Sequence, residues 1–255
     1  MRILLKILLG FITLWSVVVF FNYTRSKRKA EQGNPEEQYR LGCMYGDLGK
    51  YNLAEKYLKL ASEQGFKRAQ ARLGILYGCL GKSELAEKYL LLGREEYPET
   101  NLILGALYNE QGKYDLAEKY WLIAIELGIK EAADELGISY NKQGKKDLAE
   151  KYLLLASEYG LAKGQLHLGV FYSNQGKEDL AEKYLLLASE QKYVEAQCGL
   201  GLLYANQEKY DLAEKYLLLA SEQGSVEARN GLGILYEAQG KYDLAKKYFN
   251  LSNKH

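Results

Sequence analysis

The chain of 255 residues carries 34 basic and 33 acidic side chains, a formal charge of +1. That sum hides an uneven split: Arg2, Lys6, Arg25, Lys27, Arg28 and Lys29 fall in residues 1–29 with no acid, leaving 28 bases against 33 acids, a net of −5, on the remainder. A mildly acidic body lacks the positive face that a phosphate backbone requires, so nucleic acid is not expected as a partner. Only two prolines occur, which suits a chain made almost wholly of helix. Cys43, Cys79 and Cys198 are widely spaced, with no CxxC pair or Cys/His cluster. They argue against a disulfide framework or a metal site and read as small apolar core residues of a reducing compartment.

The first element is the apolar run Ile3–Phe21, interrupted only by Lys6, Gly10, Thr13 and Ser16. As a helix it would measure about 28 Å, close to the hydrocarbon thickness of a bilayer. Lys6 is near enough to the end to snorkel. No small-x-small site succeeds the run, where Val19, Phe20, Phe21, Asn22 and Tyr23 stand, so it reads as an uncleaved membrane anchor rather than a signal peptide. Residues 1–29 form this anchor with its basic flank. Arg25, Lys27, Arg28 and Lys29 after the span outnumber Arg2 and Lys6 before it, favouring a cytoplasmic position for residues 30–255. A periplasmic or extracellular body is the alternative. Lys29-Ala30-Glu31-Gln32-Gly33 resembles the tail of a repeat's second helix. This allows two arrangements: the anchor helix continues through Ala30 and caps the array, or residues 22–26 form a flexible tether.

Residues 30–255 are built from seven repeats of about 32 residues. Leu-Gly-x-x-Tyr recurs with glycines at Gly42, Gly74, Gly105, Gly137, Gly169, Gly201 and Gly233, each followed three positions later by a tyrosine. Twelve residues after each glycine an alanine, from Ala54 to Ala245, opens an Ala-Glu-Lys-Tyr or Ala-Lys-Lys-Tyr run. Strict self-similarity at this period signals a solenoid. Each unit reads as two helices. The first ends at a glycine such as Gly49 or Gly81, replaced in the sixth repeat by Glu208 at some cost. The second begins at an Asp or Asn cap in five units (Asn52, Asp115, Asp147, Asp211, Asp243). Pro35 and Pro98 fall in the first turn of a first helix, and Asn34 with Glu37 resembles a capping box. At 100° per residue, Leu212, Ala213, Tyr216, Leu217, Leu219 and Ala220 fill one broad apolar face. One helix pair cannot cover such a face, whereas stacked neighbours can. The expected fold is therefore an all-α solenoid of seven helix-turn-helix repeats after an N-terminal transmembrane helix.

The Leu-Gly-x-x-Tyr…Gly-Lys-Tyr-Asp…Ala pattern resembles the tetratricopeptide repeat. Ala61-Ser62-Glu63-Gln64-Gly65 followed by Ala69-Gln70-Ala71-Arg72-Leu73-Gly74 resembles the Sel1-like repeat. Gln38, Gln70, Gln165 or Gln197 stands where the tetratricopeptide tryptophan is expected, and the extra loop residues of Sel1-like units are missing, so the choice of subfamily stays open. Both resemblances imply a concave groove that binds peptides or protein segments, lined by the first helices around the repeat glycine. The groove candidates are Tyr39, Cys43, Ile75, Ala106, Asn109, Ile138, Asn141, Val170, Asn174, Leu202, Asn206 and Ile234, with Ala71, Leu102, Asp134, Leu166, Cys198 and Asn230 at neighbouring positions. An apolar stripe beside asparagines suits an extended or helical peptide. Plain interhelix packing is the competing reading of the same apolar residues. A second candidate surface is a convex ridge of Leu91, Leu122, Leu154, Leu186 and Leu218, which the wheel puts outside the apolar face.

Catalysis is not expected. His167 lies in a first helix with no periodic acid, Ser or Cys partner, and His255 is the last residue. No nucleophile–base–orienter set, P-loop, GxGxxG or HExxH appears. The recurring Glu-Lys pairs read as solvated helix faces and the tyrosines as packing residues. No cofactor is implied. The expected function is a membrane-anchored scaffold or adaptor that binds partner proteins through its groove. A self-associating structural spacer, with homo-oligomers, or an exported interaction factor is the alternative.

Overall fold

A computed structural model describes residues 21–253. Among these the chain is all helix, without a strand. The anchor span Ile3–Phe21 lies outside the described residues apart from Phe21. No helix among the described residues is long and apolar enough to cross a membrane.

The chain divides into two compact units, residues 1–127 and 128–255. The first holds α1 (described over residues 21–31), α2 (Pro35–Asp47), α3 (Tyr51–Glu63), α4 (Lys67–Cys79), α5 (Ser83–Gly93), α6 (Glu99–Glu110) and α7 (Tyr114–Glu126). The second holds α8 (Glu131–Lys142), α9 (Lys146–Glu158), α10 (Ala162–Ser173), α11 (Glu178–Glu190), α12 (Val194–Asn206), α13 (Tyr210–Glu222), α14 (Val226–Ala238) and α15 (Tyr242–Ser252). From α2 onward the even-numbered elements are the first helices of the repeats and the odd-numbered ones the second.

The repeat glycine sets the contact within each pair. A methyl group on Gly201 would lie 2.7 Å from Leu217 Cδ2, and on Gly42 2.6 Å from Leu58 Cγ. The missing side chain lets the leucine of the second helix drop against the first helix backbone. Leu58, Leu90, Leu153, Leu185 and Leu217 are accordingly buried, each contributing about 1.5–3 kcal/mol. In the third repeat Trp121 takes this position, buried, its Nε1 donating to the Leu102 carbonyl at 3.2 Å. A tyrosine pair closes the other end of every repeat, with centroids 5.7 Å apart for Tyr45–Tyr57 and 5.5 Å for Tyr108–Tyr120.

Helix starts differ from the capping expectation. The second helices begin two residues earlier, with lysines such as Lys113, Lys145 and Lys209 at the N-cap and no side-chain cap bond. Asp115, Asp147 and Asp211 therefore sit inside the first turn, where they complement the helix dipole instead of capping. Asn34 does cap α2, accepting from the Glu37 N–H at 2.9 Å, and Pro35 opens that helix. Pro98 is the N-cap residue of α6. Glu208 adopts the left-handed conformation of the glycine it replaces, φ 59°, and so does Lys192, φ 61°, at a position held elsewhere by Gly160 and Gly224.

α1 takes the place of a second helix. Ala30 is buried, and Gln38 Nε2 donates to its carbonyl at 3.0 Å, as Gln70 does to Ser62 one repeat later. The Tyr23 and Tyr45 hydroxyls meet at 2.7 Å, where Tyr77 meets Glu55 in the next repeat. Residues 22–26 are helical, as the continuing-helix reading requires.

Candidate protein-interaction face

Within each unit the first helices of successive repeats touch: α2 with α4 and α4 with α6, then α8 with α10, α10 with α12 and α12 with α14. No two second helices pack on each other among the described residues. The first helices thus form the closer-spaced face of each unit, and residues on it from consecutive repeats stand side by side.

None of the twelve groove candidates is buried. Tyr39, Cys43, Ile75, Ala106, Asn109 and Ile138 are half-buried, and Asn141, Val170, Asn174, Leu202, Asn206 and Ile234 are exposed or half-exposed. Val170, Leu202 and Ile234, one per repeat, are 42%, 48% and 62% exposed. Three of the neighbouring positions, Ala71, Asp134 and Cys198, are buried and belong to the packing instead. In the first unit a cavity of about 280 Å³ opens on this face, floored by Gly42, Gly46 and Ala54 and bordered by Ile75. Its rim carries the Asp47–Arg72 ion pair at 3.0 Å.

In the second unit the face has an acidic margin. Glu131, Glu195 and Glu227 are exposed in the first turns of α8, α12 and α14. In α10 Lys163 stands there and leans on Glu135 at 2.9 Å and on Asp134 at 3.6 Å. His167 has a partner that the sequence pattern did not reveal: its Nδ1 lies 2.7 Å from Asp134 Oδ1. The pair spans two repeats, and Asp134 is the one acid at a position otherwise held by Tyr39, Ala71, Leu102, Leu166, Cys198 or Asn230. That departure from the repeat pattern was the available signal.

Two further expectations are revised. The glutamates of the Ala-Glu-Lys-Tyr runs are not simply solvated. Glu55, Glu87, Glu150, Glu182 and Glu214 each accept a bond from the first-helix tyrosine of the next repeat. The glutamines in the tryptophan position also bind: Gln64, Gln191 and Gln223 donate to Gln38, Gln165 and Gln197 at 2.7–2.8 Å, clasping the end of a second helix to its own first helix. In the second repeat Glu96 replaces the donor, and buried Gln70 Oε1 has no hydrogen-bond partner.

The ridge leucines sit deeper than the wheel implies. Leu91, Leu122, Leu154, Leu186 and Leu218 are all half-buried, whereas Leu212 and Leu219, assigned to the apolar face, are 39% and 38% exposed. The next repeat explains this. α14 packs on the flank of α13 that carries Glu214, and Leu218 is one turn further along that flank. Leu212 and Leu219 lie on the opposite flank, which no second helix covers.

Among the cysteines only Cys198 is buried; Cys43 is half-buried and Cys79 exposed, so the core assignment fits one of three. Burial pushes the Cys198 and Cys43 thiols up. No group of three His, Cys, Asp or Glu that could hold a metal ion occurs among the described residues.

These features define a helical repeat protein whose first helices present a continuous row of unburied side chains within each unit. The family model described as "Tetratricopeptide repeat" matches residues 38–63, 194–222 and 226–254. No curated protein matches the chain by sequence. Among solved structures, the Sel1 repeat protein from Oxalobacter formigenes aligns with a TM-score of 0.63 at 20% identity, over 87% of this chain and 99% of that one. A tetratricopeptide repeat protein from Parabacteroides merdae gives 0.60 at 19% identity, over 86% and 94%. Pseudomonas aeruginosa pilF gives 0.60 at 18% identity, over 73% and 89%. At these identities the likeness concerns the fold.

Proposed function

We propose that this protein is a membrane-tethered scaffold that binds segments of other proteins along its first-helix face. The observation that carries this reading is the row Val170, Leu202 and Ile234, which leaves an aliphatic side chain exposed in three consecutive repeats at one position. A solenoid needs its apolar side chains between helices, and nothing in the packing requires this row to face outward. The acidic margin of Glu131, Glu195 and Glu227 suits a partner segment with aliphatic and basic side chains. Residues 3–21 supply the tether as a single span, and the basic flank favours a cytoplasmic body. No catalytic role is part of this reading.

A second reading, self-association, is favoured by the exposed second-helix leucines such as Leu212 and Leu219. Photo-crosslinking in the source cells separates the two. A crosslinker placed at 170, 202 or 234 should trap a different polypeptide, and the trapped band should vanish with Val170→Lys/Leu202→Lys/Ile234→Lys. Crosslinks to a second copy, formed only from positions 212 and 219, would replace the scaffold with the spacer. Silence at the first-helix positions would remove the scaffold reading. Protease protection in cells against inverted vesicles checks the side on which the repeats lie, an exported body being the contrary result.

A further inference from the structure

α1 and α2 enclose a groove of about 530 Å³ lined by Tyr23, Arg25, Ser26, Lys29, Glu37 and Arg40 among others. Three cations converge on it against one acid. Arg25 and Lys29 are one turn apart on α1, and Arg40 approaches from α2. The acid is occupied: Glu37 accepts the Ser26 hydroxyl at 2.5 Å and lies 3.8 Å from Lys29. Arg40 leans on Glu36 at 3.3 Å, both exposed. Arg25 has no acidic partner among the described residues. Arg28 borders an adjoining groove together with Phe21, Thr24 and Arg25. Lys29 and Arg40 thus each have an acid close by, and the charge of Arg25 is the excess in the groove that no described acid offsets.

Its position along the helix matters. Phe21, 67% exposed, is the last residue of the apolar run in the sequence, and α1 runs unbroken from it through residue 31. At 1.5 Å per residue, Arg25 lies about 6 Å and Lys29 about 12 Å beyond Phe21 along the axis. The headgroup layer on each side of a bilayer is roughly 5–7 Å deep. With the apolar run in hydrocarbon, Arg25 falls at the level of the lipid phosphates and the groove opens beside it. The Tyr23–Tyr45 and Gln38–Ala30 bonds fix α1 to the first repeat, so the cations are held by that repeat rather than by a loose tail.

We propose that the groove between α1 and α2 binds the phosphate of an anionic lipid headgroup, with Arg25 and Arg40 as the main contacts and Lys29 in support. The proposal rests on the membrane reading above. Bound lipid would seat the first repeat against the bilayer surface and set the tilt of the first unit. Arg25 and Arg40 are exposed, so their replacement leaves the packing intact.

The test reconstitutes the full chain into nanodiscs of phosphatidylcholine with a minority of phosphatidylglycerol, then measures by mass spectrometry the lipids that remain bound on extraction. The wild type should retain phosphatidylglycerol enriched about fivefold over the bulk ratio for each basic contact, the equivalent of about 1 kcal/mol each. Arg25→Gln/Arg40→Gln should return to the bulk ratio, and Arg25→Lys/Arg40→Lys should keep most of the enrichment. Equal lipid composition in the wild type and the glutamine variant, with both proteins inserted, would overturn the headgroup site and leave the anchor standing. A chain that never enters the nanodisc would overturn anchor and site together. Broadening of the ³¹P resonance of inorganic phosphate by the protein in lipid-free detergent, without lipid enrichment, would assign the groove to free phosphate instead.

Discussion

Tyr236 donates its hydroxyl to Glu214 of the preceding repeat at 2.7 Å. The same bond joins Tyr77 to Glu55, Tyr108 to Glu87, Tyr172 to Glu150 and Tyr204 to Glu182, at 2.7–2.9 Å. Each links one helix pair to the next through a charged acceptor at a half-buried site. Tyr204→Phe should therefore cost about 1–2 kcal/mol, the range for a hydrogen bond to a charged group with part of its strength lost to water. Urea unfolding followed by circular dichroism measures it. Tyr216→Phe, at the second-helix tyrosine that stacks on Tyr204, is the reference. An equal change in the two variants would show that ring packing, and not the hydroxyl, carries the tyrosine's role.

These tyrosines also set an alkaline limit. Burial first, and then the glutamate acceptor, pushes the phenols of Tyr77, Tyr108, Tyr172, Tyr204 and Tyr236 well above their ordinary value near 10. Tyr45 is pushed up to about 12, chiefly by its bond with Tyr23. Below about pH 10 both folded and unfolded states keep these protons, and stability is indifferent to them. Above it the unfolded chain loses protons that the folded chain retains, so stability falls as pH rises. Thermal melts should hold steady to about pH 9.5 and then drop steadily towards pH 12. Tyrosinate absorbance in the native state should account for fewer than the 23 tyrosines until unfolding begins.

Gly201 and Gly78 make a matched pair. A methyl group on Gly201 would meet Leu217 Cδ2 at 2.7 Å and the Leu217 backbone nitrogen at 3.2 Å, whereas on Gly78 it would meet only Ala86 Cβ at 4.0 Å. Gly201→Ala should destabilise by about 1–3 kcal/mol through overpacking. Gly78→Ala should stabilise by up to about 1 kcal/mol from helix propensity alone. Chemical denaturation of both variants tests the assignment; the same sign for the two would contradict it.

Glu208 and Lys192 occupy left-handed backbone that glycine holds in the equivalent turns. Glu208→Gly and Lys192→Gly should each raise stability by about 1 kcal/mol, because the clash of Cβ with the following carbonyl is relieved. Glu208→Ala should leave it unchanged, since alanine keeps the Cβ. Midpoints of urea unfolding read all three.

The repeat period and the two-helix unit were readable from the chain alone, because both depend on spacing within about 32 residues and the pattern recurs seven times. Repetition averages out local ambiguity: Leu200, Tyr204 and Ala213 could be placed without reference to neighbours. The special turn at Glu208 was legible from its glycine equivalents in the same way. The effects of the neighbouring repeat were not readable. A helical wheel treats α13 as if it had one buried side, but α14 covers the flank with Leu218 and leaves Leu212 and Leu219 part-exposed. The Asp134–His167 pair, the Tyr–Glu bonds and the charged groove on α1 all join residues on different helices. Helix identity is a property of short-range sequence, whereas the chemistry of each surface depends on which side chains the stacking of separate helix pairs brings within a few ångströms, and only the tertiary structure decided that.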